Sequence, residues 1–332
     1  MKKSDGFTHI SDLFGSLPAL PKPADVSAPA VKKITREQQK LINASAAISL
    51  DALDVDPAFM ARQLVQCTLP HTNPGDVPQW ARKCGNVTLG IQPGRDFEKN
   101  ISVGYPYGSL PRLILFWVNT EAVRTKKRRL HLGHSFSEFM RELGLDPSRG
   151  GKRSDATRLR DQMRRLFASS ISFQQTVVLG NSEGNRWLDM KVAPRGELWW
   201  HPKEPRQAAL WESWIELGED FFEAITASPV PLDMRALRAL KRSPLALDLY
   251  AWATYTTFTV SKKGVPRFIP WRALAKQLGT DYTEISNFKK KAGPTLRKVQ
   301  AVYPALKITP GDGGFTIHPS RPAVLPRRLP SA

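Results

Sequence analysis

The chain has 332 residues, 41% of them hydrophobic and 24% charged, so it can bury a real core and has room for about two domains of ordinary size. Lysine and arginine number 49 against 30 aspartate and glutamate, a formal charge of +19. That balance favours a polyanionic partner, nucleic acid first, because each neutralised phosphate releases counterions. No run approaches the ~18 apolar residues needed to span a bilayer, and the opening MKKSDGFTHI has no signal-peptide apolar region, which excludes a membrane span and leads us to expect a cytoplasmic protein.

In chain order, GSLPALPKPADVSAPAV (15–31) has too few apolar side chains to offset its ordering entropy, so residues 1–34 are expected to be a flexible arm. Thr35 is a candidate cap for a helix over TREQQKLINASAAI, with Glu37 and Gln38 in its first turn, and DPAFMARQLVQC (56–67) is expected as a second helix. After a Pro- and Gly-rich link at 70–78, NVTLGI (86–91) and ISVGYPY (101–107) alternate like short strands around the loop QPGRDFEKN. SLPRLILFWVNTEAVRT opens a long helix, where Pro111 fits the first turn because its missing N–H has no intrahelical partner there. A basic connection, RTKKRRLHLGH (124–134), is either a solvated charge run or a phosphate contact. FSEFMRELG (136–144) then reads as a short helix, RSDATRLRDQMRRLFA (153–168) as a basic one, and SISFQQTVVLG, NSEGN and RWLDMKV as a hairpin.

The tryptophan-rich stretch at 197–225 suits core packing or a subunit interface. SPLALDLYAWATYTTF follows as a second long helix, capped by Ser243 with Pro244 in its first turn, and apolar on nearly every side. WRALAKQLG (271–279) is another short helix. DYTEISNFKKKAGPTLRKVQAVY (281–303) keeps an apolar phase through Ile285, Phe288, Ala292, Leu296, Val299 and Tyr303, with a kink or restart expected at Gly293 and Pro294. ALKIT, PGDGG and FTIH form a last hairpin, and residues 319–332 a flexible basic tail.

These elements repeat. Pro111 to Gly144 and Pro244 to Gly279 share a pattern in which Phe136, Phe139 and Leu143 match Trp271, Leu274 and Leu278. Long helix, short connection, short helix, basic helix and hairpin is the element order of a winged helix. The expected class is therefore α+β, with tandem winged-helix domains at 35–228 and 229–318.

The basic helices carry the candidate DNA contacts. On the first, Ala156, Leu159, Met163, Leu166 and Phe167 mark an inward face, and Arg153, Thr157, Arg160 and Arg164 share an adjoining sector. Guanidinium groups there can fork onto guanine or phosphate, although a solvated arginine face fits equally well. On the second, Tyr282, Thr283, Ser286, Asn287, Lys289 and Lys290 offer an amide able to pair with adenine, hydroxyls for phosphate, and ammonium groups for phosphate or guanine. Arg267 and Arg272 are placed for backbone phosphates.

Catalysis finds no support in the residues. GLDPSRGGKRS has six residues between Gly144 and Gly151 where a phosphate loop has four, and Lys152 precedes Arg153 instead of Ser or Thr. His131 and His134 lack a partner nucleophile, and Cys67, Cys84 and His71 lack the paired spacing of a zinc site. We expect no enzyme activity, no metal and no cofactor.

YPYGSLPRLILFWVNTEAVRTKKRRLHLGHSFSEFMRELGL, TRLRDQMRRLFASSIS and SPLALDLYAWATY resemble bacterial plasmid replication initiators of the RepA type, and the likeness spans roughly 56–318. The resemblance implies two tandem winged helices binding double-stranded DNA at iterons, the repeated sites of a plasmid origin. It implies origin opening with a host initiator, recruitment of the replicative helicase, and autorepression by a dimer. It puts base reading on Ser286, Asn287, Lys289 and Lys290, and the dimer interface among the 86–107 strands and the tryptophan-rich segment. In the arm, ISDLF (10–14) resembles a sliding-clamp peptide, with Asp12, Leu13 and Phe14 as its contacts. A winged-helix transcription regulator on a palindromic operator and a basic RNA-packaging protein are the rival readings.

Overall fold

Caps and apolar phase place most elements where the periodicity predicts them, and pairing partners account for the exceptions. The computed structural model describes residues 34–51, 55–180, 182–199, 212–278, 282 and 284–324. Two units divide the chain, Met1–Thr35 and Arg36–Ala332, and the elements below belong to the second. Asp12, Leu13 and Phe14, Thr283, and the tail beyond residue 324 lie outside the described residues.

Helix α1 (Arg36–Leu50) follows Thr35 as expected and packs on α7 (Met234–Leu240) and α10 (Ile285–Val302). The helix expected over 56–67 is not formed whole: Pro57–Ala61 is strand β1 and only Arg62–Gln66 is helical, as α2. The reason is tertiary. β1 pairs antiparallel with β11 (Pro229–Asp233), from Pro57 opposite Asp233 to Ala61 opposite Pro229, and this ladder buries Ala58, Met60 and Ala61.

Strand β2 (Trp80–Cys84) pairs with β3 (Val87–Gln92), which pairs in turn with β7 (Ser170–Leu179), and β7 with β8 (Ser182–Lys191). The 101–107 stretch is no partner of β3. Only Ile101–Ser102 is strand, as β5 against β4 (Arg95–Asp96), and the chain then turns through Gly104 at φ +81° and Pro106 to bury Tyr105.

Two long helices make the centre. α3 (Ser109–Thr125) buries residues from Leu110 to Ala122, and α8 (Pro244–Lys263) is buried on almost every side. Ser243 caps α8 by accepting the Ala246 N–H, and Pro244 occupies its first turn. After α3 come β6 (Arg129–His131), α4 (Phe136–Glu142) and α5 (Asp155–Ala168), leading into the β7–β8 hairpin. After α8 come β12 (Arg267–Pro270), α9 (Trp271–Leu278) and α10, leading into the hairpin of β13 (Ile308–Gly311) and β14 (Gly314–Ile317).

The two halves therefore share one element order within a mixed α and β fold, but close their sheets differently. β12 joins its own hairpin in a three-stranded sheet of order β12-β14-β13. β6 instead joins β9 (Arg195–Glu197) and β10 (Trp214–Glu216), and the β7–β8 hairpin is claimed by β2 and β3. Within the tryptophan-rich stretch, Ile215 and Leu217, with Phe221 and Ile225 of α6 (Glu219–Ala227), pack in the core, while residues 200–211 lie outside the described residues.

The Leu-Gly ending of α4 has a geometric cause. Gly144 adopts φ +70°, its N–H bonds the Arg141 carbonyl and the Leu145 N–H the Met140 carbonyl, which closes the helix in a left-handed cap. No restart occurs at Pro294: α10 runs unbroken through it. Pro294 and Lys290, whose carbonyl loses its helical donor, are both on the exposed side, while Phe288, Ala292, Leu296, Val299 and Val302 hold one buried stripe.

Candidate nucleic-acid interface

In the second half, an aromatic cluster decides which side of α10 is free. Phe288 is fully buried, with the Trp271 and Tyr282 rings each 6.3 Å away, and the Trp271 ring packs at a tilt against Phe315 of β14, 4.9 Å between centres. The Trp271 N–H also bonds the Gly313 carbonyl at 3.0 Å, tying the start of α9 to the hairpin turn. With that side pinned, Ser286, Asn287, Lys289 and Lys290 are exposed, and Tyr282 keeps 38% of its surface. Arg272 in the first turn of α9 and Arg267 on β12 are exposed beside them in sequence and share the same core.

At about 100° per residue, the pole of α10 opposite its buried stripe runs through Ser286, Lys290, Gly293 and Arg297. Beyond its chain neighbours, a Cβ added at Gly293 would meet nothing within 4 Å, so this side of the helix is open there between two cations. Arg297 and Lys298, both exposed, extend this surface past Pro294. The sequence reading ended the surface at the proline and so missed them, although the helical spacing was visible.

In the first half the corresponding helix is more encumbered. Ser154 caps α5 by accepting the Thr157 N–H, and the Thr157 hydroxyl donates to the Gly151 carbonyl at 3.0 Å. Arg153 is exposed just before the cap. Arg160 turns inward: its guanidinium carbon lies 4.8 Å from the Phe136 ring centre, and Nε and Nη2 are buried with no hydrogen-bond partner among the described residues. Burial lowers its pKa. Arg164 donates from Nη2 to Asp96 at 2.5 Å, so a phosphate would have to compete with that carboxylate. Phe136 and Trp271 hold matching places in the repeat, yet Trp271 meets a phenylalanine of the following helix and Phe136 meets an arginine.

Most of the basic connection after α3 is occupied within the protein. Arg124 pairs with Glu121, Arg128 with Glu216 and Glu219, and Arg129 lies 3.7 Å from the Trp214 ring centre. Glu121, Arg124, Arg129 and Trp214 border a cavity of about 750 Å³ that also takes in Glu138, Glu142 and Glu197. Burial, with Glu121 and Glu138 nearby, raises the Glu142 pKa against the hydrogen bond from Trp117. Acidic side chains around this cavity disfavour phosphate there, while Lys126 and Lys127 of the connection and the outer side of α10 stay exposed.

The two halves meet through a buried ion network. All five N–H groups of Arg112 on α3 are used: Nε and Nη2 bond the Asp248 carboxylate of α8, Nη1 bonds the Pro70 and Gly108 carbonyls, and Nη2 also bonds the Leu69 carbonyl. His71 Nε2 donates to Asp248 at 2.7 Å. Burial pushes the Asp248 carboxyl up, but Arg112 and the hydrogen bonds from His71 and Arg112 outweigh it and hold it below the usual carboxylate range.

Among the described residues, no helix is long and apolar enough to cross a membrane, and no group of three or more His, Cys, Asp or Glu is placed to hold a metal ion. A search of curated proteins finds no match. Among solved structures the chain is similar to a selenomethionine form of domains 2 and 3 of RctB, with 13% identity, a TM-score of 0.48, and coverage of 77% of this chain and 95% of that one. RctB domains 2–3 also align with 14% identity, a TM-score of 0.44, and coverage of 76% and 94%. A model of the family described as plasmid encoded RepA protein matches residues 105–272, half of the chain, a span that includes both Arg112 and Asp248. The chain belongs to the family of plasmid-encoded RepA proteins.

Proposed function

We propose that this chain is a plasmid replication initiator, a non-enzymatic protein of the cytoplasm whose two halves are tandem winged helices that bind iterons in duplex DNA at the origin. The observation that carries the reading is α10: one face is locked to Trp271 and Tyr282 through Phe288, while Ser286, Asn287, Lys289 and Lys290 are exposed beside Arg272 and the β13–β14 hairpin. A rigid helix with a polar and cationic outer face, flanked by a hairpin, suits the major groove, with the hairpin against the adjacent backbone. Asn287 and Lys290 read base edges in this scheme, while Arg272 and Arg267 hold phosphates. α5, with Arg160 and Arg164 engaged within the protein, adds the weaker contact.

In this reading a monomer loads iterons, helps to open the origin with the host initiator and recruits the replicative helicase, whereas a dimer represses its own gene. The test is a footprint of the purified chain on its own plasmid's origin. Evenly spaced protection of several direct repeats is the expected result. Protection of one palindrome would instead identify a transcription regulator, and salt-sensitive coating without sequence preference a packaging protein.

A further inference from the structure

Cys67 and Cys84 are the only cysteines of the chain, and the fold sets them side by side, since Cys84 and Thr68, the neighbour of Cys67, bond adjacent carbonyls of one helix end. Cys67 is buried at the end of α2, with its sulfur 3.6 Å from the Arg82 carbonyl, while Cys84 ends β2 and is partly exposed. Their surroundings give the pair a second role. The last carbonyls of a helix have no intrahelical donor, and at the end of α9 two side chains of the first half supply one: the Cys84 thiol donates to the Gln277 carbonyl at 3.3 Å, and the Thr68 hydroxyl to the Leu278 carbonyl at 3.3 Å. The end of α9 that leads toward α10 thus rests on Cys84 and on the neighbour of Cys67.

We propose that Cys67 and Cys84 form a reversible intramolecular disulfide, and that its formation releases the C-terminal end of α9. The oxidant is a low-molecular-weight disulfide. The Cys84 thiolate attacks one of its sulfurs, forming a mixed disulfide and expelling one small thiolate. The Cys67 sulfur then attacks the Cys84 sulfur, its proton leaving with the second small thiol, so two protein thiols are oxidised and one small disulfide is reduced to two thiols. The cross-linked Cys84 has no S–H, and the Gln277 carbonyl loses its donor.

The order of attack follows from the site. The hydrogen bond from Cys67 and the charge of Arg82 lower the Cys84 pKa against its burial, and Cys84 is the more exposed of the two. Cys67 is held protonated by its bond to Cys84, by burial and by the charge on Cys84. Once Cys84 carries a neutral mixed disulfide, the first and third of those causes are gone. The bearing of this switch on DNA rests on the reading of α10 above, but the disulfide and the freed helix end do not, so the test omits DNA.

The full-length chain is incubated with oxidised glutathione and with dithiothreitol, then analysed by intact mass, peptide mapping and amide hydrogen exchange. Oxidation is expected to remove two hydrogens, to join the peptides holding Cys67 and Cys84, and to raise exchange several-fold at the end of α9, all reversed by dithiothreitol. Cys84→Ser retains a hydroxyl donor and cannot cross-link, so it should show neither change. Thiols that stay free, or carry only glutathione, overturn the proposal. A disulfide that forms with unchanged exchange at α9 overturns the release of the helix end.

Discussion

Asp248 on α8 receives both arms of the Arg112 guanidinium from α3, at 2.7 Å from Nε and 2.8 Å from Nη2, with both side chains almost wholly buried. Each long helix centres one half of the repeat, so this pair fixes how the halves meet. A pair so enclosed is stable only when complete, because desolvation makes either charge costly alone.

Asp248→Ala is accordingly expected to lower unfolding stability by about 3–5 kcal/mol, since it leaves the Arg112 charge buried and uncompensated. Replacing both, as Arg112→Met with Asp248→Leu, should restore most of the loss. Urea denaturation of the single and double variants checks this, and a double variant no more stable than Asp248→Ala would show that the apolar pair cannot stand in for the ionic one.

Stability should also fall with acid from near pH 6.5 downward. Burial lowers the His71 pKa, outweighing its bond to Asp248, and Asp248 is itself depressed. For both groups the unfolded chain binds protons more readily, so their stabilisation is complete above the ordinary value of each and is lost as pH drops toward the folded value. His71, with an ordinary value of 6.5, acts first and the carboxylate later. Denaturation midpoints between pH 8 and pH 5 should decline in the wild type, and His71→Gln should flatten that decline.

Asn287→Ala should lower discrimination between a cognate repeat and a scrambled one by about 1–3 kcal/mol. Arg272→Ala should weaken both duplexes alike and reduce the salt slope of binding by about one. Titrations at several salt concentrations separate the two roles. Equal losses on both duplexes for Asn287→Ala would remove it from base reading.

Gly293→Ala tests binding with stability as its control. Beyond its chain neighbours the added Cβ meets nothing, and the helix preference of alanine is offset by the Pro294 ring, which crowds a Cβ on the preceding helical residue, so unfolding stability should change by less than about 1 kcal/mol. If the pole through Lys290, Gly293 and Arg297 faces the duplex, the methyl group keeps the backbone away and affinity falls. Titration of one preparation should then show weaker binding while its denaturation midpoint moves little, and unchanged affinity would place the contact nearer the start of the helix.

Much of the scaffold was written locally. Ser243 and Pro244 at the start of α8, Pro111 in the first turn of α3, and the matched spacing of Phe136, Phe139 and Leu143 with Trp271, Leu274 and Leu278 all act within a few turns of chain, so helical period and capping chemistry suffice to read them. The exposed groups of α10 were legible for the same reason, because burying Phe288 determines which way its neighbours point.

What only the tertiary structure decided depends on partners far along the chain. Residues 57–61 became a strand because 229–233 offered a ladder, and Arg164 was claimed by Asp96. Arg160 folded onto Phe136, and Cys67 met Cys84 at the end of α9. Periodicity reports which side of an element is apolar, but not which distant group will meet it. Pairing, burial and charge neutralisation arise only when the folded chain brings those groups within a few ångströms.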